Sequence, residues 1–349
     1  MSEFKCPQCG AILNYEPGTT HIKCSYCQHE SPIELREVTI EEENYQTYLD
    51  QLKNSEVTSD IHLVQCSGCG ARMEMKPNLT SDRCPFCGTS LIVKEAEMTR
   101  LIKPRYLLPF KIKDKEAQNA FRNWISHLWF APNALKHQAR ENKGMTGIYL
   151  PFWTYDCQTS SEYTGQRGED YWVTEGSGNN KRQTRHTRWH SVQGHLDQAF
   201  DDILLSASQS LPSDYINRLQ PWDLHQLVEY SEDYLTGFRT ESYQIDVENG
   251  FNTARQIIDS EIRQAIGRQI GGDHQRISTL DTQIRDITFK HILLPVWLNA
   301  YKFKSKTYRF MVNARTGSVQ GERPWSVIKI TLLILVVVIV LVILMANHQ

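Results

Sequence analysis

The apolar positions of this chain fall into three patterns, and each predicts a different element. Residues 330–346 carry no charge and are dominated by Ile, Leu and Val. Such a run reaches the lower end of a spanning helix; Val327 and Ile328 extend it around Lys329, whose long stem can snorkel to the interface. The predicted transmembrane helix is therefore 327–346, with only Asn347, His348 and Gln349 after it, so the expected protein is tail-anchored. A second pattern repeats at helical spacing. Ala117, Ala120, Phe121, Trp124, Ile125 and Leu128 predict a helix over 117–130. Ala254, Ile257, Ile258, Ile262, Ala265 and Ile266 predict another over 251–270. Tyr45, Tyr48, Leu49 and Leu52 form a shorter face of the same kind. Glu41, Glu42 and Glu43 precede it, where acids favour a helix N-terminus.

The third pattern is strand-like. Each long helix is followed by a proline-marked apolar phrase, Tyr149-Leu150-Pro151-Phe152-Trp153 in one case and Leu293-Leu294-Pro295-Val296-Trp297 in the other. Strand-like runs come next, at 155–163 and 300–312. The order suggests a diverged duplication of a helix-then-hairpin unit, with Leu107-Leu108-Pro109-Phe110 as an earlier relative of the phrase. Proline lacks the N–H that a ladder needs, which restricts these phrases to strand starts, edges or bulges. Residues 171–174 and 184–192 flank Gly176-Ser177-Gly178-Asn179-Asn180 and predict a hairpin with a flexible tip.

The cysteines change the picture at the N-terminus. Eight of the nine fall in CxxC pairs: Cys6 and Cys9 with Cys24 and Cys27, then Cys66 and Cys69 with Cys84 and Cys87. Fourteen residues separate the inner cysteines of both units, close to the spacing of four-cysteine zinc sites. Cys-Gly-Ala follows at Cys9 and again at Cys69, so the unit is duplicated. A CxxC turn aims two thiolates at one point, and two such knuckles complete the tetrahedron that zinc accepts. Gly10, Gly70 and Gly88 permit the tight turn behind a knuckle. Each unit of about thirty residues is too small for a sufficient core, so metal must supply much of its folding free energy. Four cysteines close the coordination shell, which predicts two structural zinc ions and no open catalytic position.

The expected class is α+β: zinc ribbon 1 over 1–33, an acidic helical spacer over 34–61, zinc ribbon 2 over 62–97, an α+β body over 101–324, and the transmembrane helix. Net charge is −2, so no general field attracts nucleic acid. The first twenty residues lack the apolar stretch of a secretory signal, and Arg315, Arg323 and Lys329 precede the span, placing the N-terminal bulk in the cytoplasm of a single-pass membrane protein. The ribbons carry few cations, Lys5 and Lys23 in the first and Arg72, Lys76, Arg83 and Lys94 in the second, with acids interspersed. Protein contact is their expected use, with the lipid bilayer as the second partner. Lys181, Arg182, Arg185 and Arg188, interleaved with Trp189, are the best nucleic-acid candidate, weighed against a solvated strand face. His186, His190 and His195 lie on the same strand-like stretch rather than on a helix carrying a metal pair. Cys157 stands alone, as a packing cysteine rather than a nucleophile. No Walker loop, GxSxG elbow or HExxH pair occurs, and no catalytic residue is expected.

Several phrases carry a family resemblance: Leu150-Pro151-Phe152-Trp153-Thr154-Tyr155, Tyr234-Leu235-Thr236-Gly237-Phe238, Leu293-Leu294-Pro295-Val296-Trp297, Val312-Asn313-Ala314-Arg315-Thr316-Gly317 and Gly321-Glu322-Arg323-Pro324. With the ribbons they resemble a bacterial family of zinc-ribbon membrane proteins often labelled primosomal protein N′-like or TFIIB-type zinc finger domain proteins. The ATPase motifs of a helicase are missing here. Some members look associated with membrane-stress systems built around phage-shock and flotillin-like proteins. The resemblance thus implies an adaptor that recruits cytosolic proteins to the membrane; the alternative is a nucleic-acid-binding replication or transcription accessory.

Overall fold

A computed structural model describes residues 4–34, 39–53, 58–74, 81–92, 97–134, 144–176, 182–303 and 306–347. Ribbon 1 is a three-stranded antiparallel sheet of β1 (Leu13–Tyr15), β2 (His21–Cys24) and β3 (Glu30–Pro32). The spacer contributes β4 (Glu43–Asn44) and α1 (Tyr45–Lys53). Ribbon 2 contains β5 (Thr58–Gln65), β6 (Arg72–Glu74), β7 (Ser81–Arg83) and β8 (Ser90–Ile92), and β9 (Glu97–Ile102) pairs back onto β5. The body follows with β10 (Tyr106–Leu107), α2 (Asp114–His127), β11 (Thr146–Glu175), β12 (Arg182–Ser206), α3 (Ser213–Asn217), β13 (Val228–Glu229) and β14 (Arg239–Thr240). It closes with α4 (Val247–Ile270), β15 (His274–Phe303), β16 (Lys306–Asn313), β17 (Val319–Gly321) and α5 (Val327–Asn347). The class is α+β.

The strand-like runs at 155–163 and 171–174 are parts of one strand of 30 residues, β11, which is about 100 Å long at 3.3 Å per residue. Its burial changes along its length with what covers it. Residues from Gly147 to Cys157 are buried on both faces; residues 158–165 alternate; residues beyond Gly168 are largely exposed. Helix α4 accounts for the middle zone, where Ile258, Ile262, Ile266 and Ile270 pack on Cys157, Tyr163 and Phe200. At 24 residues α4 spans only about 36 Å, so the far third of the β11–β12–β15 ribbon projects without a helix over it. The helix starts one turn earlier than its apolar spacing suggests, because the Asp246 carboxylate accepts from the Asn249 N–H. It stops at Gly271, which has φ 68°.

Pro151 and Pro295 do not lie at strand starts. They sit in the interior of β11 and β15, which pair with each other through Leu150 opposite Leu294. Each proline falls where the partner on the other edge changes. The outer edge of β11 pairs in parallel with β14 at Ile148 and Tyr149, then antiparallel with β12 from Phe152. The outer edge of β15 pairs in parallel with β10 at Ile292 and Leu293, then antiparallel with β16 from Val296. A residue without an N–H costs nothing at such a gap.

The two halves repeat this arrangement bond for bond. Pro151 O accepts from Ala207 N at 2.9 Å, and Pro295 O from Ala314 N at 3.1 Å. Ala207 O accepts from Gln244 N and Ile245 N just before α4; Ala314 O accepts from Lys111 N and Ile112 N just before α2. Trp153 Nε1 donates to Ile245 O, and Trp297 Nε1 to Ile112 O, both at 2.8 Å. The body is thus a pseudo-twofold pair in which each tryptophan is held by the segment leading into the other half's helix. The phrase Leu107-Leu108-Pro109-Phe110 is not a third copy of the Trp phrase. It corresponds to Thr240-Glu241-Ser242-Tyr243, since Leu108 N donates to Leu293 O and Glu241 N to Tyr149 O, both at 3.0 Å.

The spacer helix packs on this body. Tyr45 and Tyr48 of α1 are buried against Phe251 and Phe289, with ring centroids 4.8 and 4.7 Å apart respectively. Its leading acids are consumed in ion pairs, Glu42 with Lys290 at 2.7 Å and Glu43 with Arg105 at 3.2 Å.

Candidate metal centres

Four knuckles position eight thiols, and all four share one backbone geometry. In each, the N–H of the leading cysteine donates to the carbonyl five residues on, and its own carbonyl accepts from the N–H four residues on. The pairs run Cys6 to Ala11 at 2.7 Å, Cys24 to His29, Cys66 to Ala71 and Cys84 to Thr89 each at 2.8 Å. The donors that close the turns are Gly10, Gln28, Gly70 and Gly88, all at positive φ between 64° and 78°. The glycines mark three of the four turns; Gln28 performs the fourth without that signal.

Within each unit the four sulfur atoms lie within 4.8 Å of one another. Cys6 Sγ is 3.5 Å from Cys27 Sγ, and Cys9 Sγ 3.5 Å from Cys24 Sγ. In the second unit, Cys66 to Cys87 is 3.5 Å and Cys69 to Cys84 is 3.6 Å. A tetrahedral zinc ion with bonds of about 2.3 Å requires sulfurs about 3.8 Å apart, so both sets fit the ion. All eight thiols are free, far from disulfide distance. One thiol in each set is made acidic by its surroundings: Cys24 by the Cys27 backbone N–H, Cys69 by the Cys84 side chain. The leading cysteine of each knuckle is buried and the trailing one is more exposed. With the coordination shell filled by sulfur, such ions hold structure together and do not activate water.

Both ribbons share cores with the body. Tyr15 of ribbon 1 packs on Tyr234 with centroids 5.1 Å apart, and its hydroxyl donates to Phe110 O at 3.2 Å. Gly18 donates to the same carbonyl at 2.8 Å; at φ 81°, a Cβ there would come within 2.9 Å of Lys111 O. Ribbon 2 docks on the equivalent segment of the other half. Ser242 N donates to Arg72 O at 3.0 Å, and Met73 bridges to Glu241. Burial pushes the Glu241 carboxyl well above the usual carboxylate range, and it accepts a hydrogen bond from the Ser210 hydroxyl. The ribbons differ at one place. Phe86, in the second knuckle of ribbon 2, is completely buried in the body's core; Tyr26, its counterpart in ribbon 1, is 83% exposed, and Cys9 of that ribbon is exposed as well.

The remaining candidates are not gathered into a site. His186 lies beside Glu175, His190 beside Glu169 and His195 beside Asp197, and none joins a potential metal cluster among the described residues. Arg185 pairs with Asp170 at 3.3 Å, and Arg188 lies over the Tyr171 ring; Lys181 and the expected hairpin tip at 177–180 fall outside the described residues. Cys157 is buried, and burial pushes its thiol up to about 11. Two carboxylate clusters are filled by lysines. Lys290 Nζ lies 2.7 Å from Glu42, 2.9 Å from Asp202 and 3.3 Å from Asp156, and Lys23 Nζ 2.8 Å from Glu30.

At the other end, Val327–Ala346 is a 20-residue helix with mean hydropathy 3.5 and none of it buried, long and apolar enough to cross a membrane. Two of the cations before or at its start serve the fold. The Arg315 side chain, 7% exposed, is bound to Asp223 at 2.6 Å. Lys329 does not snorkel freely; its Nζ is held by Trp129 O, Ala131 O and Asn133 Oδ1.

The geometry is that of a zinc-ribbon protein, and the comparisons agree. The LSD1 zinc finger family matches residues 6–29, the whole cysteine set of ribbon 1. Over most of its length the chain is similar to "Uncharacterized protein YdjG" of Bacillus subtilis (strain 168), at 26% identity over 94% of this chain and 91% of that protein. No solved structure matches. Ribbons, body and apolar helix together fit a zinc-binding, membrane-anchored protein.

Proposed function

We propose that this protein is a membrane-anchored adaptor whose ribbon 1 docks a cytosolic protein partner, while ribbon 2 is an internal brace. The observation that carries this reading is the contrast between Tyr26 and Phe86. A buried knuckle aromatic fastens a ribbon to its own body; an exposed one is a large amphipathic side chain on a rigid, metal-held turn, the kind of anchor that protein interfaces enrich. Ile12, 61% exposed on the same ribbon, adds a second apolar contact. The bulk faces the cytoplasm in this reading, where reduced thiols persist for zinc. Cysteine spacing alone offers no distinction between the two ribbons; in this reading the docking role belongs to the first.

The test is a photo-crosslinking amino acid placed at Tyr26 and, as control, at Trp172 on the projecting ribbon, in cells. A discrete polypeptide adduct from position 26 in the membrane fraction, lost in an Ile12→Ser background that still retains two zinc ions, is the expected outcome. Adducts to nucleic acid instead, or none from position 26, would overturn the adaptor reading.

A further inference from the structure

We infer that the turn after α2 is a membrane-surface element: Trp129 lies in the lipid headgroup region together with Trp325, and the body is thereby held at a fixed attitude to the bilayer. This rests on α5 spanning the membrane. Helix α2 ends at His127, and the chain then turns through Leu128 to Ala131, where Ala131 N donates to Leu128 O at 3.1 Å. Leu128 and Ala131 point back to the core, which leaves Trp129 76% exposed.

That turn is bolted to the root of α5. Ser326 N donates to Phe130 O at 2.8 Å. Lys329 Nζ donates to Trp129 O at 3.0 Å and to Ala131 O and Asn133 Oδ1, each at 2.9 Å. These hydrogen bonds fix Trp129 at the level of the helix's first turn, where hydrocarbon gives way to headgroups. Trp325 occupies the same level, 56% exposed, with Phe130 beside it at 6.2 Å and the Arg323 guanidinium 4.4 Å from its ring centroid. Indole rings favour this zone because their faces are apolar and their N–H needs a polar partner. The acceptors around Lys329 are all neutral, and it has no carboxylate partner among the described residues. The charge so held stands beside the root of the apolar helix, where anionic headgroups favour a cation even without a direct contact. Continuity with the apolar helix, the interfacial chemistry of two tryptophans and this uncompensated cation all select the bilayer surface as the occupant.

The experiment uses the full chain in phosphatidylcholine–phosphatidylglycerol vesicles, labelled with 5-fluorotryptophan, the two resonances being assigned by Trp129→Phe and Trp325→Phe. Flotation resistant to alkaline carbonate first confirms the anchor; failure to float overturns the anchor reading, a result distinct from any change in the fluorine resonances. In floating protein, both resonances should broaden with a paramagnetic headgroup lipid and stay sharp with a soluble paramagnetic chelate. Lys329→Met should keep flotation while raising the response of Trp129 to the soluble chelate at least twofold. A Trp129 resonance broadened by the chelate and indifferent to the lipid, in protein that floats, would overturn the inference.

Discussion

At Gln28 the second knuckle of ribbon 1 departs from its three siblings. Its φ of 64° places a side-chain-bearing residue where Gly10, Gly70 and Gly88 stand in the others, and left-handed backbone costs an ordinary residue about 1 kcal/mol. The exposed hydrogen bond from Gln28 Nε2 to Ser25 O offsets little of that. Gln28→Gly is therefore expected to stabilise ribbon 1 by on the order of 1 kcal/mol. It should slow zinc release to a chromogenic chelator in one of two kinetic phases and leave the other unchanged. Equal release from both sites would show that the strain is not there. The eight ligands themselves were legible from spacing alone, because thiolate geometry leaves zinc few alternatives. The difference between Tyr26 and Phe86 was not, since both are aromatic and only the docking of ribbon 2 onto the body separates them.

Between elements, the junction of ribbon 2 with β14 makes zinc matter beyond the ribbon. Met73 and Phe86 share a core with Leu108, Ile148 and Leu150, so releasing the knuckles loosens body strands as well. Cys69→Ser, or removal of metal, should raise amide exchange roughly tenfold at 239–244 as well as at 70–74. Exchange confined to 70–74 would mean that the ribbon docks independently of its metal. Helix faces were readable in the sequence because a stripe of Ile at 3.6-residue spacing has one interpretation. Strand extents were not. β11 passes from two covered faces to one to none, so no single alternation runs through its 30 residues, and the exposed stretch between the apolar phrase and the hairpin reads as a break. The interior prolines mislead for a related reason: only the neighbouring strands reveal that an N–H is dispensable at Pro151 and Pro295.

For the whole molecule, the apolar helix and the rest are separable in solvent though hydrogen-bonded at one root. Deleting Val327–Asn347 should move the protein to the soluble fraction with its strand-dominated circular dichroism intact, because among the described residues the span contributes no buried side chain to the core. Tight membrane association after deletion would reveal another anchor. The duplication was partly legible in the repeated Leu-Pro-aromatic phrase, but Leu107 to Phe110 and Thr240 to Tyr243 are equivalents that share almost no side chains; only their hydrogen bonds match. The reciprocal seating of Trp153 and Trp297 also governs the order in which the chain can mature. When Trp153 is added to the nascent chain its acceptor, Ile245, is still about ninety residues from synthesis, and Ile112 waits longer still for Trp297. Neither half can complete its centre on its own. The nascent chain therefore carries an unfinished apolar seam until β15 slides between the earlier strands, and folding is expected to be slow, late and dependent on holding chaperones.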